Sequence, residues 1–452
     1  MQERDTIISL ATVAGESAIG VIRISGDKCL ELSNEIFNTP CPTPRTSILK
    51  NYKSLDNKIL DHVLFVYFED GKSFTGEQTI EISFHGNTII ANQILDDLIK
   101  RNCRLAEPGE YTRRAYLNGK IDLTQAESVA EVISATSEVE VDIANQQLKG
   151  RLSDVILKLQ TTLINLQANF EAIIDFPEDH LEDPDLTNSL NTILQIKSSI
   201  EDLIETFRLR SYLSNGIKIP LIGPPNVGKS SIFNKLLRED RTIVSAQPGT
   251  TRDYISKELI TSGYKIELFD SAGIRHTDNE LELDGIQNSI KLIDDSTIIL
   301  LVLDSSLPYP ADFFTLIKNS IQGKHIIIIE NKSDLERKIK KVDYPIHNNI
   351  LKTSVFEKNC ANKIFSEINS FLGTRFTNNP LGNILINKRH YLLLKETHSH
   401  LCLLENLVKD NVHEEFILQE LKLSLTPINE IIGSKDNEDM LDELFKNFCI
   451  GK

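Results

Sequence analysis

The sequence predicts a multidomain protein of mixed α/β and α class. An N-terminal α+β domain precedes a helical domain into which a parallel-sheet α/β domain is inserted. Three observations support this. From residue 217, strand-like apolar runs alternate with helical stretches, as in parallel α/β domains. On both sides of that section, apolar residues recur at helical spacing. Before residue 119, short β-type runs and turns dominate. At 452 residues, the chain is also too long for one ordinary core.

The predicted N-terminal domain covers residues 1–118. It contains short runs of β-type residues bounded by turns and one helix-like stretch, which together favour an α+β arrangement. The β-type runs are at 6–10, 18–24, 62–68 and 79–84, and the helix-like stretch is at 88–101.

The predicted helical domain has two parts, residues 119–215 and residues 379–452. In the first part, apolar residues three and four positions apart predict a long amphipathic helix. An acidic loop, 175–185, separates it from a second helix that stops before Asn215-Gly216. Residues 385–448 are predicted to be helical again. The apolar row of the long helix consists of Leu148, Leu152, Val155, Leu159, Leu163, Leu166 and Phe170.

The predicted α/β domain covers residues 216–378. Its apolar runs have strand length and are separated by helical stretches. The expected strands are 217–222, 254–259, 264–269, 298–303, 325–329 and 350–353.

Composition limits the class of protein. Hydrophobic residues make up 40% and charged residues 25% of the chain, values of a soluble globular protein, and no apolar run reaches membrane-span length. The six scattered cysteines lack CxxC spacing, and the N-terminus, residues 1–5, has no basic segment followed by an apolar one as a secretory signal would, so a reducing cytoplasm is expected. A net charge of −16 disfavours a general nucleic-acid binder but leaves room for a local basic patch.

A phosphate-binding loop is predicted at residues 223–231. The segment matches the G-x-x-x-x-G-K-[ST] pattern, with a predicted strand before it and a helix after it. Glycines let backbone N–H groups turn toward phosphate oxygens, and the helix N-terminus adds positive potential. Lys229 would reach the β- and γ-phosphates, and Ser230 would ligate Mg²⁺. The nucleotide-contacting residues expected here are Asn226, Val227, Gly228, Lys229, Ser230 and Ser231.

Three further motifs follow, each at the carboxyl end of a predicted strand, where doubly wound sheets bind ligands. The first carries an aspartate that can hold Mg²⁺ through water and a glycine amide that can sense the γ-phosphate. The second offers an aspartate to the guanine N1–H and N2 amine, which favours GTP over ATP. The third can donate a backbone amide to the guanine oxygen. They are Asp270-Ser271-Ala272-Gly273, Asn331-Lys332-Ser333-Asp334 and Thr353-Ser354-Val355.

The catalytic apparatus must differ from that of many GTPases. Those enzymes orient the attacking water with a glutamine directly after the Asp-x-x-Gly element. Here that position holds Ile274, an apolar residue. Another group must therefore position the water and neutralise the charge of the transition state.

At this point the chain resembles the MnmE (TrmE) family of tRNA-modification GTPases along essentially its whole length. The segments that support this resemblance most strongly are Gly249-Thr-Thr-Arg-Asp253 and the tail Phe448-Cys449-Ile450-Gly451-Lys452. Supporting segments are Phe74-Thr-Gly-Glu77, Pro108-Gly-Glu110, Asn118-Gly-Lys-Ile-Asp122 and Asn387-Lys-Arg-His390.

The resemblance implies a catalytic apparatus in which GTPase domains dimerise around K⁺, which acts in place of an arginine finger. Thr251 would join Ser230 on Mg²⁺, and Glu282 would orient the water indirectly, giving it a catalytic role beside Lys229. The K⁺ ligands would be Asn226, Ser245, Gln247 and Thr250. The nucleotide-contacting loop would include Ser245, Ala246, Gln247, Pro248, Gly249, Thr250 and Thr251.

The resemblance also implies a folate-binding and dimerisation module at the N-terminus, similar to the folate domain of glycine-cleavage T-protein. Arg23, Glu81 and Lys120 match its 5-formyltetrahydrofolate positions, together with the terminal Lys452. Cys449 matches a cysteine important for the modification, although nothing near it in the sequence indicates its chemistry.

The function implied by the resemblance is K⁺-activated GTP hydrolysis by a cytoplasmic homodimer. In a heterotetramer with the flavoprotein MnmG, it would install a carboxymethylaminomethyl-type group at C5 of the wobble uridine, position 34, of certain tRNAs. Two alternatives remain open. One is a ribosome-assembly GTPase, which shares the phosphate loop and the Gly-Thr-Thr-Arg-Asp motif. The other is a folate-dependent one-carbon transferase with a regulatory GTPase domain.

Overall fold

The structure is a computed structural model, and it describes residues 5–175, 186–214, 216–238, 255–270, 290, 292–339, 350–377, 384–433, 438–446, 448 and 451. By its internal contacts the chain divides into two compact units. The first consists of Met1–Ser134, Gln147–Thr192 and Ser399–Lys452, and the second of Ala135–Gln146 and Ile193–His398.

Two six-stranded sheets and a set of helices make up the described part of the chain. The strands are β1 (Ile7–Leu10), β2 (Gly20–Ser25), β3 (Ile48–Lys53), β4 (Ile59–Phe68), β5 (Thr79–Phe84), β6 (Arg104–Leu105), β7 (Ile217–Ile222), β8 (Ile255–Thr261), β9 (Tyr264–Asp270), β10 (Ile298–Asp304), β11 (His325–Asn331) and β12 (Ile350–Lys352). The helices are α1 (Cys29–Phe37), α2 (Thr88–Lys100), α3 (Glu110–Leu117), α4 (Leu123–Ser134), α5 (Glu138–Leu148), α6 (Arg151–Asp175), α7 (Leu186–Ser214), α8 (Lys229–Arg238), α9 (Ala311–Ile317), α10 (Cys360–Thr377), α11 (Lys388–Lys409), α12 (Glu414–Ile432) and α13 (Glu438–Phe445).

The first sheet has the strand order β3-β4-β5-β2-β1-β6. Its neighbours pair antiparallel, except that β1 and β6 pair parallel. Ile22 and Ile24 on β2 and Ile80 and Ile82 on β5 are fully buried, because alternate residues of a strand face the same side. The apolar faces of α1 and α2 contribute to the same core cluster. The intervening residues, including Arg23, face the other side of this sheet.

The structure confirms the predicted α+β class of the N-terminal region and adds elements to it. Every predicted run overlaps a strand or helix, and four short elements were not predicted: α1, β3, β6 and α3. β3 lies at a sheet edge and includes two lysines and an asparagine, so its sequence lacks strict apolar alternation. β6 has only two residues, too few for a periodic signal.

Helices complete the first unit. The predicted long amphipathic helix is α6, and its Leu152, Leu163 and Phe170 are buried. The side-chain amide of Gln160 on α6 donates to Asn429 on α12 at 2.6 Å. Residues 385–448 were predicted to be helical, and they contain three separate helices, α11, α12 and α13. Breaks follow residues in the left-handed region, Asn411 and Gly433, with φ of 49° and 105°.

The second sheet has the order β12-β11-β10-β7-β9-β8. Five strands are parallel, as predicted, whereas the edge strand β8 runs antiparallel to β9. The connection between β8 and β9 is a two-residue turn, Ser262-Gly263, and so short a link permits only an antiparallel hairpin. β10 lies at the centre, and all seven of its residues are buried.

Helices cover both faces of the second sheet. α8 and α10 contribute to the apolar cluster on one face, and α9 contributes to the cluster on the other face. Val139 and Ile143 of α5 also pack on the first of these clusters, and the Val139 amide donates to the Gly263 carbonyl at 3.3 Å. The arrangement is a doubly wound α/β fold whose strand ends meet at one edge.

Candidate nucleotide-binding site

The phosphate loop connects β7 to α8 at the carboxyl edge of the sheet. Asn226 and Gly228 have φ of 63° and 97°, in the left-handed region. A Cβ on Gly228 would overlap the side-chain amide of Asn331, and a Cβ on Gly223 would overlap the Val302 carbonyl oxygen. The loop is therefore too closely packed for side chains at its two glycines, and its backbone can turn inward.

Lys229, the first residue of α8, is folded into this loop. Its side chain is 8% exposed, and Nζ donates to the carbonyl oxygens of Gly223 and Pro224, both at 2.8 Å. Burial lowers the pKa of the ammonium group, and the nearby carboxylate of Asp270 opposes that shift. A phosphate group entering the loop would offer Lys229 charged acceptors in place of two neutral carbonyls.

Ser230 is a predicted Mg²⁺ ligand, and Asp270 is predicted to hold the same ion through water. Asp270 ends β9 and is buried, and β9 pairs with β7, the strand that leads into the phosphate loop. Ser230 is half-buried in the first turn of α8. A hydroxyl and a carboxylate next to a phosphate loop are a donor set that suits Mg²⁺.

Asn331 joins the predicted base-binding motif to the phosphate loop. It ends β11, and its Nδ2 donates to the Val227 carbonyl oxygen at 2.8 Å. Its Oδ1 is buried and has no hydrogen-bond partner in the part of the chain that the structure describes. The strand order brings the two motifs within reach of each other, because only β10 lies between β11 and β7.

Lys332 makes a second connection between the two motifs. Its φ of 60° turns the chain after β11, and its Nζ lies 2.6 Å from Oδ2 of Asp304 and 3.3 Å from the carbonyl oxygen of Asn226. Burial raises the pKa of the Asp304 carboxyl, but hydrogen bonds from Lys332 and from Ser306 outweigh it, so that this pKa is lowered. The pair fixes the position of the lysine stem.

The last predicted motif, Thr353-Ser354-Val355, lies beside the Asn331-Lys332-Ser333-Asp334 motif. The Ser333 amide donates to the Thr353 carbonyl oxygen at 3.2 Å. Glu357 accepts hydrogen bonds from the hydroxyls of Ser333 and Thr353 at 3.1 and 3.3 Å, and it pairs with Lys363 at 2.7 Å. The Lys363 contact, with the two hydroxyls, holds the pKa of Glu357 below its usual value.

The remaining predicted residues divide into two groups. Asp334, Ser354 and Val355 lie at the same edge; Asp334 is exposed and Ser354 is buried. The others lie outside the described residues: Ser245, Ala246, Gln247, Pro248, Gly249, Thr250, Thr251, Ser271, Ala272, Gly273, Glu282, Cys449 and Lys452.

Four residues that hold the base-binding loops were not predicted from the sequence. Asp304 contacts Lys332, Glu357 contacts Ser333, and Arg337 forms two hydrogen bonds with the buried Glu330. A weak signal was present, since Asp304 and Glu330 are acidic residues within otherwise apolar strand sequences. A buried charge of this kind normally requires a partner.

A separate cluster in the first unit contains two of the predicted folate residues. Arg23 on β2 faces Glu81 on β5 in the strand register, with Nη2 and Oε1 2.8 Å apart. Nη1 of Arg23 also donates to the carbonyl oxygen of Gly451 at 3.4 Å, and its guanidinium lies 5.7 Å from the ring centre of Tyr111. The residue before Lys452 therefore contacts the predicted arginine directly.

This cluster adjoins a cavity of about 300 Å³. Arg23 supplies its charged wall, and the other lining side chains are Phe74, Val129, Val132, Ile133 and Leu148. Lys120 is exposed and donates to the Gly71 carbonyl oxygen at 2.9 Å, on the loop that carries Phe74. An apolar pocket with one cationic wall suits a flat organic ligand that carries a carboxylate.

The motifs at the carboxyl edge of the second sheet define the class of this protein. A phosphate loop between the first strand and first helix, an aspartate at the end of β9, and an Asn-Lys-x-Asp motif at the end of β11 define a P-loop GTPase. Two family models specify it further: "MnmE helical domain" matches residues 123–449, and "GTP-binding protein TrmE N-terminus" matches residues 6–120. The chain therefore belongs to the MnmE (TrmE) family of tRNA modification GTPases.

Curated relatives match over their full length. The tRNA modification GTPase MnmE of Pseudothermotoga lettingae is 36% identical over 99% of this chain and 100% of that protein. The MnmE proteins of Flavobacterium psychrophilum and Clostridioides difficile are 37% and 34% identical, each over 99% of both chains. The resemblance found from motifs is thereby confirmed, and membership of the family implies Mg²⁺.

The sequence predicted neither a membrane-spanning helix nor a disulfide framework. Within the described residues, no helix is both long and apolar enough to cross a membrane. None of the described cysteines, Cys29, Cys41, Cys103, Cys360 and Cys402, is in a disulfide.

Proposed function

We propose that this GTPase is activated by K⁺ and by dimerisation of its α/β domains. With the flavoprotein MnmG it would install a carboxymethylaminomethyl-type group at C5 of uridine 34 in certain tRNAs. The observation that carries the GTPase part is the hydrogen bond from Asn331 to Val227, because it unites the base-binding motif and the phosphate loop in one site. The match to full-length MnmE proteins supports the tRNA part.

In this proposal Asp334 reads the guanine edge and Lys229 binds the phosphates. Asp334 directly follows Ser333, whose amide and hydroxyl are held by Thr353 and Glu357, so the backbone that leads into Asp334 is fixed. Lys229 leaves its two backbone carbonyls and moves its ammonium onto the β- and γ-phosphate oxygens. Ser230, Thr251 and Asp270 would hold Mg²⁺, which supplies positive charge beside those oxygens.

Asn226 is the described residue that supports the K⁺ proposal. It is exposed, and its left-handed φ directs the following backbone into the phosphate loop. The Lys332 ammonium donates a hydrogen bond to the backbone carbonyl oxygen of Asn226. The backbone of Asn226 is therefore held in place, and its side chain is exposed to solvent. Ser245, Gln247 and Thr250 would complete the ligand set, and Glu282 would orient the attacking water. A monovalent cation in this position supplies charge that many GTPases obtain from an arginine.

The proposed test compares GTP hydrolysis in K⁺ and Na⁺ at equal ionic strength over a range of protein concentrations. We expect K⁺ to stimulate the rate, with a steeper effect at higher protein concentration. Asn226→Ala should lose the stimulation and keep nucleotide binding. Asn234→Ala, at an exposed asparagine on α8 in the same domain, is the matched control and should retain it. Equal rates in the two salts would refute the K⁺ mechanism and leave the GTPase assignment standing.

A folate site in the N-terminal unit forms the second part of the proposal. Arg23, Glu81 and the tail at Gly451 converge beside the 300 Å³ cavity, and Lys120 lies on the neighbouring loop. The guanidinium can bind a carboxylate, and Glu81 can accept hydrogen bonds from a pterin ring. We propose 5-formyltetrahydrofolate or a related one-carbon folate as the ligand. Cys449 and Lys452 belong to the same tail and are proposed to act there.

The tRNA and partner assignments require a reconstituted reaction. The chain, the flavoprotein MnmG, GTP, folate and unmodified tRNA are combined, and nucleosides from the tRNA are identified by mass spectrometry. A mass increase on the wobble uridine that depends on both proteins would support the proposal. Tight binding to ribosomal subunits without any modified uridine would favour an assembly GTPase instead.

A further inference from the structure

An ion pair between a buried carboxylate and a partly exposed guanidinium closes the loop that carries the base-binding motif. Glu330 is the penultimate residue of β11, and its side chain is 1% exposed. Arg337, seven residues later, donates from Nη2 to Oε1 at 2.6 Å and from Nε to Oε2 at 2.9 Å. Two parallel N–H···O bonds of this kind fix the orientation of a guanidinium as well as its distance.

Glu330 lies at the end of a buried apolar row on β11, and this position explains why its carboxylate pairs with Arg337. Residues two apart on a strand face the same side, so Glu330 continues the row of Ile326 and Ile328. Those isoleucines belong to the apolar cluster that packs against Phe314 of α9. A carboxylate at the end of an apolar row loses hydration, and two hydrogen bonds from a guanidinium compensate for that loss. Arg337 is therefore held firmly to β11.

The closed loop contains the predicted guanine-reading residues. Asn331 and Asp334 both lie between Glu330 and Arg337 in the chain. Inside the loop, the Leu335 amide donates to the Lys332 carbonyl oxygen at 2.9 Å, which forms a tight turn. Asp334 occupies the third position of that turn.

Ser305 supports the same loop from the neighbouring strand end. Its amide donates to the Asn331 carbonyl oxygen at 3.0 Å, and its hydroxyl donates to the Lys332 carbonyl oxygen at 3.0 Å. Its own carbonyl oxygen accepts from the Lys338 amide at 2.8 Å. The backbone is thus held before and after the turn, and the Glu330–Arg337 pair adds a side-chain contact between its two ends.

We infer that Glu330 and Arg337 are positioning residues for guanine selectivity: the pair holds the turn so that the Asp334 carboxylate faces the base. This inference rests on the proposed role of Asp334. Because the exocyclic N2 amine is the group that distinguishes guanine from hypoxanthine, a displaced Asp334 would lose the preference for GDP over IDP. Neither residue touches the phosphates, so hydrolysis at saturating GTP should change little.

The experiment measures the ratio of IDP to GDP dissociation constants by competition against a fluorescent mant-GDP. Full-length wild-type protein is compared with Arg337→Ala and with the double variant Glu330→Met/Arg337→Met. All are measured at a temperature at which circular dichroism shows them folded. Arg337→Ala is expected to lower the ratio by about tenfold, which corresponds to about 1.4 kcal/mol. Its kcat at saturating GTP should stay within about twofold.

The double variant separates positioning from stability. Apolar replacement of a buried ion pair often restores stability, but it provides no bidentate contact. If the pair positions Asp334, the double variant keeps a low IDP/GDP ratio even when its melting temperature recovers. A ratio that returns to the wild-type value together with the melting temperature would overturn the inference.

The control is an ion pair elsewhere in the same unit. Lys265 and Glu258 lie 3.0 Å apart on the β8–β9 hairpin, and the lysine side chain is 17% exposed. Lys265→Ala should leave the IDP/GDP ratio unchanged. Wild-type protein that does not prefer GDP over IDP would refute the base-reading part of the proposed function itself. A wild-type preference that persists in Arg337→Ala would refute only the role of the pair.

Discussion

Asp304→Asn is the substitution whose effect follows most directly from the geometry of the site. Asp304 ends β10 with its carboxylate buried, and it accepts hydrogen bonds from Lys332 at 2.6 Å, from the Ser306 amide at 2.9 Å and from the Ser306 hydroxyl at 2.6 Å. Asparagine keeps the shape and one acceptor oxygen but removes the charge. The contact with Lys332 is therefore the main interaction that is lost.

The size of the effect can be bounded. A hydrogen bond to a charged group contributes about 1.5–3 kcal/mol, and the Lys332 side chain is partly exposed, which moves the loss to about 1–2 kcal/mol. If that free energy holds Lys332 in its binding conformation, the apparent affinity for GDP falls by about fivefold at the lower bound and about thirtyfold at the upper bound. Because Lys332 lies on the base side of the phosphate loop, kcat at saturating GTP should be nearly unchanged.

The assay is a mant-GDP titration by direct excitation of the fluorophore, since the chain contains no tryptophan to act as an energy donor. Urea unfolding followed by circular dichroism gives the accompanying loss of stability. Asp312→Asn, at an exposed aspartate in the first turn of α9, is the matched control and should alter neither quantity. Unchanged affinity and unchanged stability in Asp304→Asn would refute the argument that this carboxylate positions Lys332.

Three other substitutions test the proposed site residues. Asp334→Asn should shift the preference from guanine toward xanthine nucleotides, because one acceptor of the base-facing pair becomes a donor; retained GTP preference in competition binding would contradict this assignment. Glu282→Ala should lower the GTP hydrolysis rate by about tenfold or more with nearly unchanged nucleotide affinity, whereas equal losses of both would indicate a structural role. Arg23→Ala should weaken 5-formyltetrahydrofolate binding by about tenfold or more in calorimetry. Arg45→Ala, at an exposed arginine of the same unit, should bind the folate normally, and equal binding by both variants would exclude Arg23 as a ligand.

Much of the fold could be predicted because its signals are local. The row from Leu152 to Phe170 has helical spacing, and α6 buries five of those residues. The central strands β10 and β11 contain continuous apolar runs, since a central parallel strand is covered on both faces. The strand β8 was predicted but its antiparallel direction was not, because strand direction depends on the length of the connection rather than on apolar pattern. The domain boundaries drawn at residues 118, 215 and 378 remain predictions.

The sequence alone determined the nucleotide motifs and their order. Each motif is a short contiguous segment whose residues act together, so its chemistry can be read without knowledge of the fold. The full-length resemblance rested on such segments as well, and the comparisons confirmed the family.

Only the tertiary structure decided which distant residues meet. Arg23 and Gly451 lie at opposite ends of the chain, yet the guanidinium contacts that carbonyl oxygen. Asp304 reaches Lys332 because β10 and β11 are neighbours with their carboxyl ends at one edge. The closure of the base-binding loop by Glu330 and Arg337 likewise depends on burial, which composition does not reveal. Burial decides this, because a charge that would be ordinary on a surface must find a partner once it leaves water.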